Sequence, residues 1–159
     1  MTIQVGQQIP ETTLKRIREG IETVDTHALF AGRKVVLFGV PGAFTPTCSA
    51  RHLPGFVEQF ARFRDRGVEV YCMAVNDPFV MKAWAAGQDV PDGLLMLADG
   101  NGELTRALGL ELDASASGMG TRCRRFALYA DDGVVRGLWV EEPGQFEVSG
   151  AEQVLAHLP

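Results

Sequence analysis

The stretch Val35-Val36-Leu37-Phe38-Gly39-Val40-Pro41-Gly42-Ala43-Phe44-Thr45-Pro46-Thr47-Cys48-Ser49 decides how this chain is read. Its first six residues are uncharged and β-prone, the pattern of a strand covered on both faces. From Pro46 to Arg64 the residues Leu53, Phe56, Val57, Phe60 and Phe63 recur at spacings that predict an amphipathic helix. Between strand and helix, Pro41, Gly42 and Pro46 fix an irregular backbone. Cys48 therefore falls in the first turn of a helix that follows a strand. Backbone N–H groups there lack intrahelical partners and carry the positive end of the helix dipole. Both features favour a thiolate over a thiol. The alternative is a buried, inert cysteine, but a core cysteine needs neither the prolines nor the Thr45 hydroxyl three residues ahead of it.

Outward from that segment, strands and helices alternate. Thr12–Asp25 reads as two short β-segments around Glu19-Gly20, and Thr26 is placed to cap a short helix over His27–Phe30, closed by Gly32. Pro54 is expected to kink the helix that follows Cys48, and Gly67 to end it. Val68–Val75 predicts a second buried strand. Asp77 and Pro78 open a helix carrying Val80, Met81, Trp84 and Ala85. Leu94–Ala98 predicts a further strand and Asp99–Leu108 a short helix. Arg124–Ala130 and Val134–Val140 flank Asp131-Asp132-Gly133, a hairpin signal, and Ser149 is placed to cap a last helix reaching Leu158. Ser115–Thr121, rich in Gly and Ser, reads as a mobile loop. The order ββ, βαβαβα, ββα predicts one α/β domain over residues 1–159, with a mixed central sheet, an N-terminal hairpin and helices on both faces.

Composition narrows the function classes. A net charge of −5, from 15 basic and 20 acidic residues, gives no basic stripe for nucleic acid or an anionic membrane. The longest uncharged apolar run, Val35–Phe44, is about half the roughly 20 residues of a membrane helix. Met1–Leu14 has no signal-peptide pattern. Cys48, Cys72 and Cys123 are odd in number and far apart, which fits neither a disulfide framework nor a zinc site. A reducing compartment, most simply the cytoplasm, is the expected setting.

Pro41-x-x-x-Thr45-x-x-Cys48 resembles the peroxidatic motif of the peroxiredoxins, thiol peroxidases on a thioredoxin-type fold. The likeness extends through His52-Leu53-Pro54-Gly55-Phe56, through Val75-Asn76-Asp77-Pro78-Phe79-Val80-Met81-Lys82-Ala83-Trp84, and through Arg125-Phe126-Ala127. Together these segments resemble the type II, peroxiredoxin-five-like branch over residues 3–158. The resemblance implies that Cys48 is the peroxidatic nucleophile and Thr45 positions the peroxide oxygens. It implies that Pro41 shields the nascent sulfenic acid and that Arg125 stabilises the thiolate and polarises the peroxide. It implies no cofactor or metal; glutathione with glutaredoxin, or thioredoxin, would serve as reductant, and a homodimer would form through a face for which Phe44, Phe79 and Trp84 are candidates. Strand alternation sends Arg124 and Arg125 to opposite faces, so only one can serve Cys48.

His52, four residues after Cys48, could form a Cys/His dyad or half a metal site. No acid is placed to orient its ring and no third ligand is spaced for a metal, so a structural or solvent-facing histidine is the preferred reading. His27 and His157 read as surface residues. Cys72 alternates with Val68, Val70 and Ala74 toward the core. Cys123, where the branch has a small polar residue, would point to the side of Arg125 if the strand has begun. Either cysteine is a candidate resolving thiol, and an intramolecular Cys48–Cys123 disulfide stays open. Glu141–Pro159 contains no cysteine, so an external thiol is the simplest recycling agent. Two other classes compete: a thioredoxin-like thiol carrier or redox sensor, which needs Cys48 but neither Thr45 nor Arg125, and a non-enzymatic binding protein, which needs none of them.

Overall fold

A computed structural model describes residues 1–159. Strand β3 (Lys34–Gly39) runs parallel to β4 (Val68–Ala74) on one edge and antiparallel to β8 (Phe126–Asp131) on the other. With both edges paired and both faces covered, every β3 residue after Lys34 is buried, which is why no polar alternation shows there. β5 (Leu94–Ala98) extends the parallel part beside β4. The hairpin β1 (Thr13–Ile17) and β2 (Ile21–Asp25) joins beyond β5, and β9 (Val134–Val140) closes the far edge, giving the order β2-β1-β5-β4-β3-β8-β9. The mixed sheet of the thioredoxin-like α/β fold is thus present, N-terminal hairpin included.

The pleat divides the core in two. Val36, Phe38 and Val40 face a layer containing α4 (Pro78–Gly87) and α6 (Ala151–His157). The same layer holds α2 (Leu53–Glu58) and α3 (Phe60–Asp65). Val35 and Leu37 face α1 (Thr26–Phe30) and α5 (Glu103–Leu108). Phe56 stacks on Phe38 at 4.1 Å between ring centroids, fixing the helix after Cys48 against β3. Burying a phenyl ring contributes roughly 1.5–3 kcal/mol.

Several elements depart from the sequence expectation. The helix from Pro46 to Arg64 is not one rod. Cys48–His52 form a π-turn in which the Leu53 N–H reaches back five residues to the Cys48 carbonyl. Pro54 then lies in the first turn of α2, where its missing N–H is tolerated. A second break at Gln59 separates α2 from α3. Asp25, not Thr26, caps α1 by accepting from the Ala28 N–H; Thr26 instead donates its hydroxyl to the Pro10 carbonyl. The Asp99–Leu108 helix begins only at Glu103, because the Asp99 carboxylate is taken up by the Leu104 and Thr105 N–H groups. Ser149 does not cap α6; the cap position is Gly150.

The strand expected from Arg124 starts at Phe126. Before it, β7 (Thr121–Cys123) leaves the main sheet to pair with β6 (Glu111–Asp113). Ser115–Ser117 form a tight 3₁₀ turn between these two strands. Arg124 and Arg125 are therefore the joint between two ladders, and strand alternation does not carry from Cys123 to Arg125. Gly39 is required where β8 begins: a Cβ there would collide with the Phe126 ring.

Candidate active site

Residues Pro41–Thr45 turn the chain from β3 toward the π-turn. The Thr45 hydroxyl donates to the Gly42 carbonyl at 2.6 Å and the Thr45 N–H donates to the same oxygen at 3.3 Å. A hydroxyl whose proton is committed in this way offers its lone pairs outward, as an acceptor. Asn76 Oδ1, at the end of β4, takes the Ala43 N–H at 2.9 Å. Arg122 Nη1 reaches the Pro41 carbonyl at 3.4 Å and passes close over Gly42, where an added Cβ would lie 2.9 Å from it and displace the guanidinium. Phe44 is held at φ 66°, an unusual conformation for a bulky residue, and is 61% exposed.

Cys48 sits at the start of the π-turn with its side chain fully buried. Arg125 Nη2 donates to Cys48 Sγ at 3.2 Å. A guanidinium is permanently cationic and can only donate, so this contact favours negative charge on the sulfur. The π-turn is held from the α4 side: Trp84 Nε1 donates to Ser49 Oγ at 3.0 Å, and Gln88 Nε2 donates to the Ser49 carbonyl at 3.0 Å. Trp84 is accordingly a core residue and not part of an exposed face, whereas Phe79 is 64% exposed. A cleft of about 130 Å³ opens beside Arg125, lined also by Pro41, Thr47, Arg124, Glu142 and Gln145 among others. Its volume far exceeds the roughly 10–15 Å³ that one water needs. Of the residues singled out in the sequence, Arg125 contacts the Cys48 sulfur and shares a cleft with Pro41, and Thr45 lies in the turn that leads to Cys48.

His52 is buried, not solvent-facing. Arg125 Nη1 donates to His52 Nδ1 at 2.9 Å, and His52 Nε2 lies 3.0 Å from the Ser149 carbonyl. Both ring nitrogens are occupied, so the ring is neither a base for Cys48 nor half a metal site. Burial, and then the Arg125 charge, lower its pKa to about 3. The orienting partner is a backbone carbonyl, which is why no acid could be found for it in the sequence.

Glu141 is the residue sequence reasoning missed. Its buried carboxylate accepts from the N–H groups of Glu147, Val148 and Ser149 and from the Ser149 hydroxyl. Burial pushes this carboxyl up, but the hydrogen bonds from Glu147, Ser149 and Val148 outweigh it and hold it below its usual range. Phe146, in the strap so anchored, lies 4.9 Å from the His52 ring centroid. Nothing in Glu141-Glu142-Pro143-Gly144-Gln145-Phe146 distinguishes it from an ordinary surface turn.

All three cysteines are free thiols, and Cys72 and Cys123 are completely buried. Cys72 packs in the same core half as Cys48; Cys123 packs in the other half and donates its S–H to the Val40 carbonyl at 3.1 Å. Burial pushes both of these thiols well up, away from reactivity.

A family profile described as Redoxin matches residues 4–155. Peroxiredoxin-2B of Arabidopsis thaliana is 49% identical, with 98% of each chain covered. The chloroplastic peroxiredoxin-2E-2 of Oryza sativa is 51% identical over 99% of this chain and 73% of its own length. Among solved structures, reduced Prx3 of Vibrio vulnificus in complex with hydrogen peroxide is 48% identical, covers 98% of each chain and superposes with a TM-score of 0.93.

Proposed function

The chain belongs to the Redoxin family, among its peroxiredoxins, and from that premise we propose a thiol peroxidase that reduces hydrogen peroxide and organic hydroperoxides at Cys48. The observation that carries this reading is the 3.2 Å hydrogen bond from Arg125 Nη2 to Cys48 Sγ beside the Thr45 hydroxyl turn. The Cys48 thiolate attacks the nearer peroxide oxygen. An S–O bond forms, the O–O bond breaks, and the departing hydroxide or alkoxide takes the electron pair and a proton, leaving as water or alcohol. Arg125 follows the charge as it moves from sulfur to the leaving oxygen. Thr45 accepts a hydrogen bond from the peroxide, and Pro41 walls the sulfur from bulk water. The product is Cys48 sulfenic acid, which thiols reverse.

Recycling runs through an external thiol. One thiol condenses with the sulfenic acid to a mixed disulfide and water; a second displaces it, returning Cys48 and releasing the oxidised reductant. Glutathione with glutaredoxin is the first choice and thioredoxin the second, with no bound cofactor. The burial of Cys72 and Cys123 supports this over an internal resolving cysteine. A reducing compartment such as the cytoplasm suits three free cysteines. No helix is long and apolar enough to cross a membrane. The exposed Phe44 and Phe79 rings support a homodimer, which mass measurement by sedimentation in the ultracentrifuge checks. The function is tested by peroxidase turnover with each reductant in turn, with Cys48→Ser as control; peroxide consumption that survives that substitution sinks it.

A further inference from the structure

We propose that the cleft between the Arg124-Arg125 joint and the turn at residues 141–145 is a carboxylate subsite, in which Arg124 receives a carboxylate carried by the reactant that approaches Cys48. The inference rests on the thiol-peroxidase reading and deepens it by naming a class of reactant.

Neighbouring residues on one strand point to opposite faces. Arg124 and Arg125 escape that rule because they lie between β7 and β8, and both line the same cleft. Their tasks differ. Arg125 is engaged at both Nη atoms, by His52 and by Cys48 Sγ. Arg124 makes one side-chain hydrogen bond, from Nη2 to the Glu141 carbonyl at 2.9 Å, and forms no ion pair. That bond moors one arm of the planar fork and leaves its other N–H groups to donate. Hydrogen peroxide is neutral and gains little from a second guanidinium. A carboxylate is the ligand that such a fork binds best.

The cleft has room for more than a peroxide. Its volume of about 130 Å³ is several times what two oxygen atoms need, at roughly 10–15 Å³ per water. Leu112, Pro41 and Pro143 give it apolar wall for a short carbon chain, and Thr47 ties it to the turn of the nucleophile. The acids on the cleft do not cancel Arg124. The Glu141 carboxylate is turned away, gathered up by the N–H groups of residues 147–149 and the Ser149 hydroxyl. Glu142 is exposed on the rim and is paired with no cation. It screens the entrance without occupying the fork. Two reactants of Cys48 can bring a carboxylate here: an acid that also bears a peroxide group, or the thiol that condenses with the sulfenic acid and releases water.

The test uses two pairs of reactants that differ in a carboxylate. Reduced protein is oxidised in a stopped-flow instrument by monoperoxysuccinate or by peroxypropionate. The sulfenic acid is then reduced by glutathione or by its diethyl ester. The readout is the rate ratio of the carboxylated to the ester or unsubstituted member. Arg124→Gln, which can still donate to the Glu141 carbonyl, should lower that ratio by roughly 5- to 10-fold, between the worth of an exposed ion pair and that of a hydrogen bond to a charged group. Arg124→Lys should keep most of it, and Glu142→Gln should raise it. A fall in the peroxide pair alone assigns the carboxylate to the peroxide, and a fall in the thiol pair alone assigns it to the reductant. Ratios unchanged in both pairs overturn the proposal, even if the rates fall together, since Arg124 would then act only on the sulfur. Wild type slow toward every peroxide would sink the peroxidase reading instead. Succinate titrated into nitrogen-15-labelled wild type reads the subsite without catalysis or a variant: the Gly144 and Arg124 amide signals should shift, and their failure to move overturns the proposal.

Discussion

Cys48 and Cys123 are equally buried, and each sulfur has one polar partner, yet the two partners have opposite chemistry. Cys48 receives a hydrogen bond from a guanidinium. Cys123 gives one to a backbone carbonyl. A donor aimed at sulfur favours the thiolate; an acceptor aimed at sulfur favours the S–H. Burial alone would make both inert. In the proposed peroxidase, the direction of a single hydrogen bond separates the nucleophile from a core residue, and both bonds depend on the end of β3: Val40 accepts from Cys123, and the turn that follows leads to Thr45 and Cys48.

The sharpest way to break this contrast is to exchange the sulfurs' fates. Cys48→Ser should abolish peroxide turnover, while Cys123→Ser, whose hydroxyl can still donate to Val40, should keep it. Turnover assays on both decide the matter, and turnover lost in the Cys123 variant would revive an internal disulfide. Next in size is the donor itself. Arg125→Gln should slow Cys48 oxidation by about 10²–10³-fold, the usual loss for one preorganised donor at a developing charge. Cys123 alkylation under native conditions should not respond to that substitution.

A third prediction concerns acid. His52 in the unfolded chain titrates near 6.5, whereas the folded ring holds out to about 3. Between those values the unfolded state binds more protons, so stability falls as pH falls, by up to roughly 1.4 kcal/mol per pH unit. Glu141 is shifted in the same direction, with the same consequence. Its lowered folded pKa contributes stability above the ordinary carboxylate range, and that stability is lost as pH drops through it. Urea denaturation at stepped pH should show this slope in wild type and a flatter one above pH 5 in His52→Asn. The smallest effect is expected at Cys123→Ser, whose stability should stay within about 1 kcal/mol of wild type because donor and shape are both kept.

The two supports of Cys48 differ in how far they could be read. The strand–turn–helix on the near side was legible because each residue type has a local job: apolar β3, turn-forming Pro41 and Gly42, the hydroxyl of Thr45. The far side was not. Glu141 works by gathering backbone N–H groups, and Ser149 works through its carbonyl, so neither role leaves a side-chain pattern in the sequence. The π-turn was missed for a related reason. Pro54 announced a disturbance, but whether the helix kinks there or widens one turn earlier depends on how Phe56 and Leu53 meet the sheet. The break at Arg124 and Arg125 escaped because two β-prone runs separated by two arginines look like one strand until β7 is seen to pair with β6.

Mixing reduced protein with hydrogen peroxide in a stopped-flow instrument, then mapping each cysteine by mass spectrometry after rapid trapping, bears on all of this at once. A fast phase that places a sulfenic acid on Cys48 and leaves Cys72 and Cys123 as thiols is the expected result. Slow oxidation spread over the three cysteines, or a peptide pair joining Cys48 to Cys123, would contradict it.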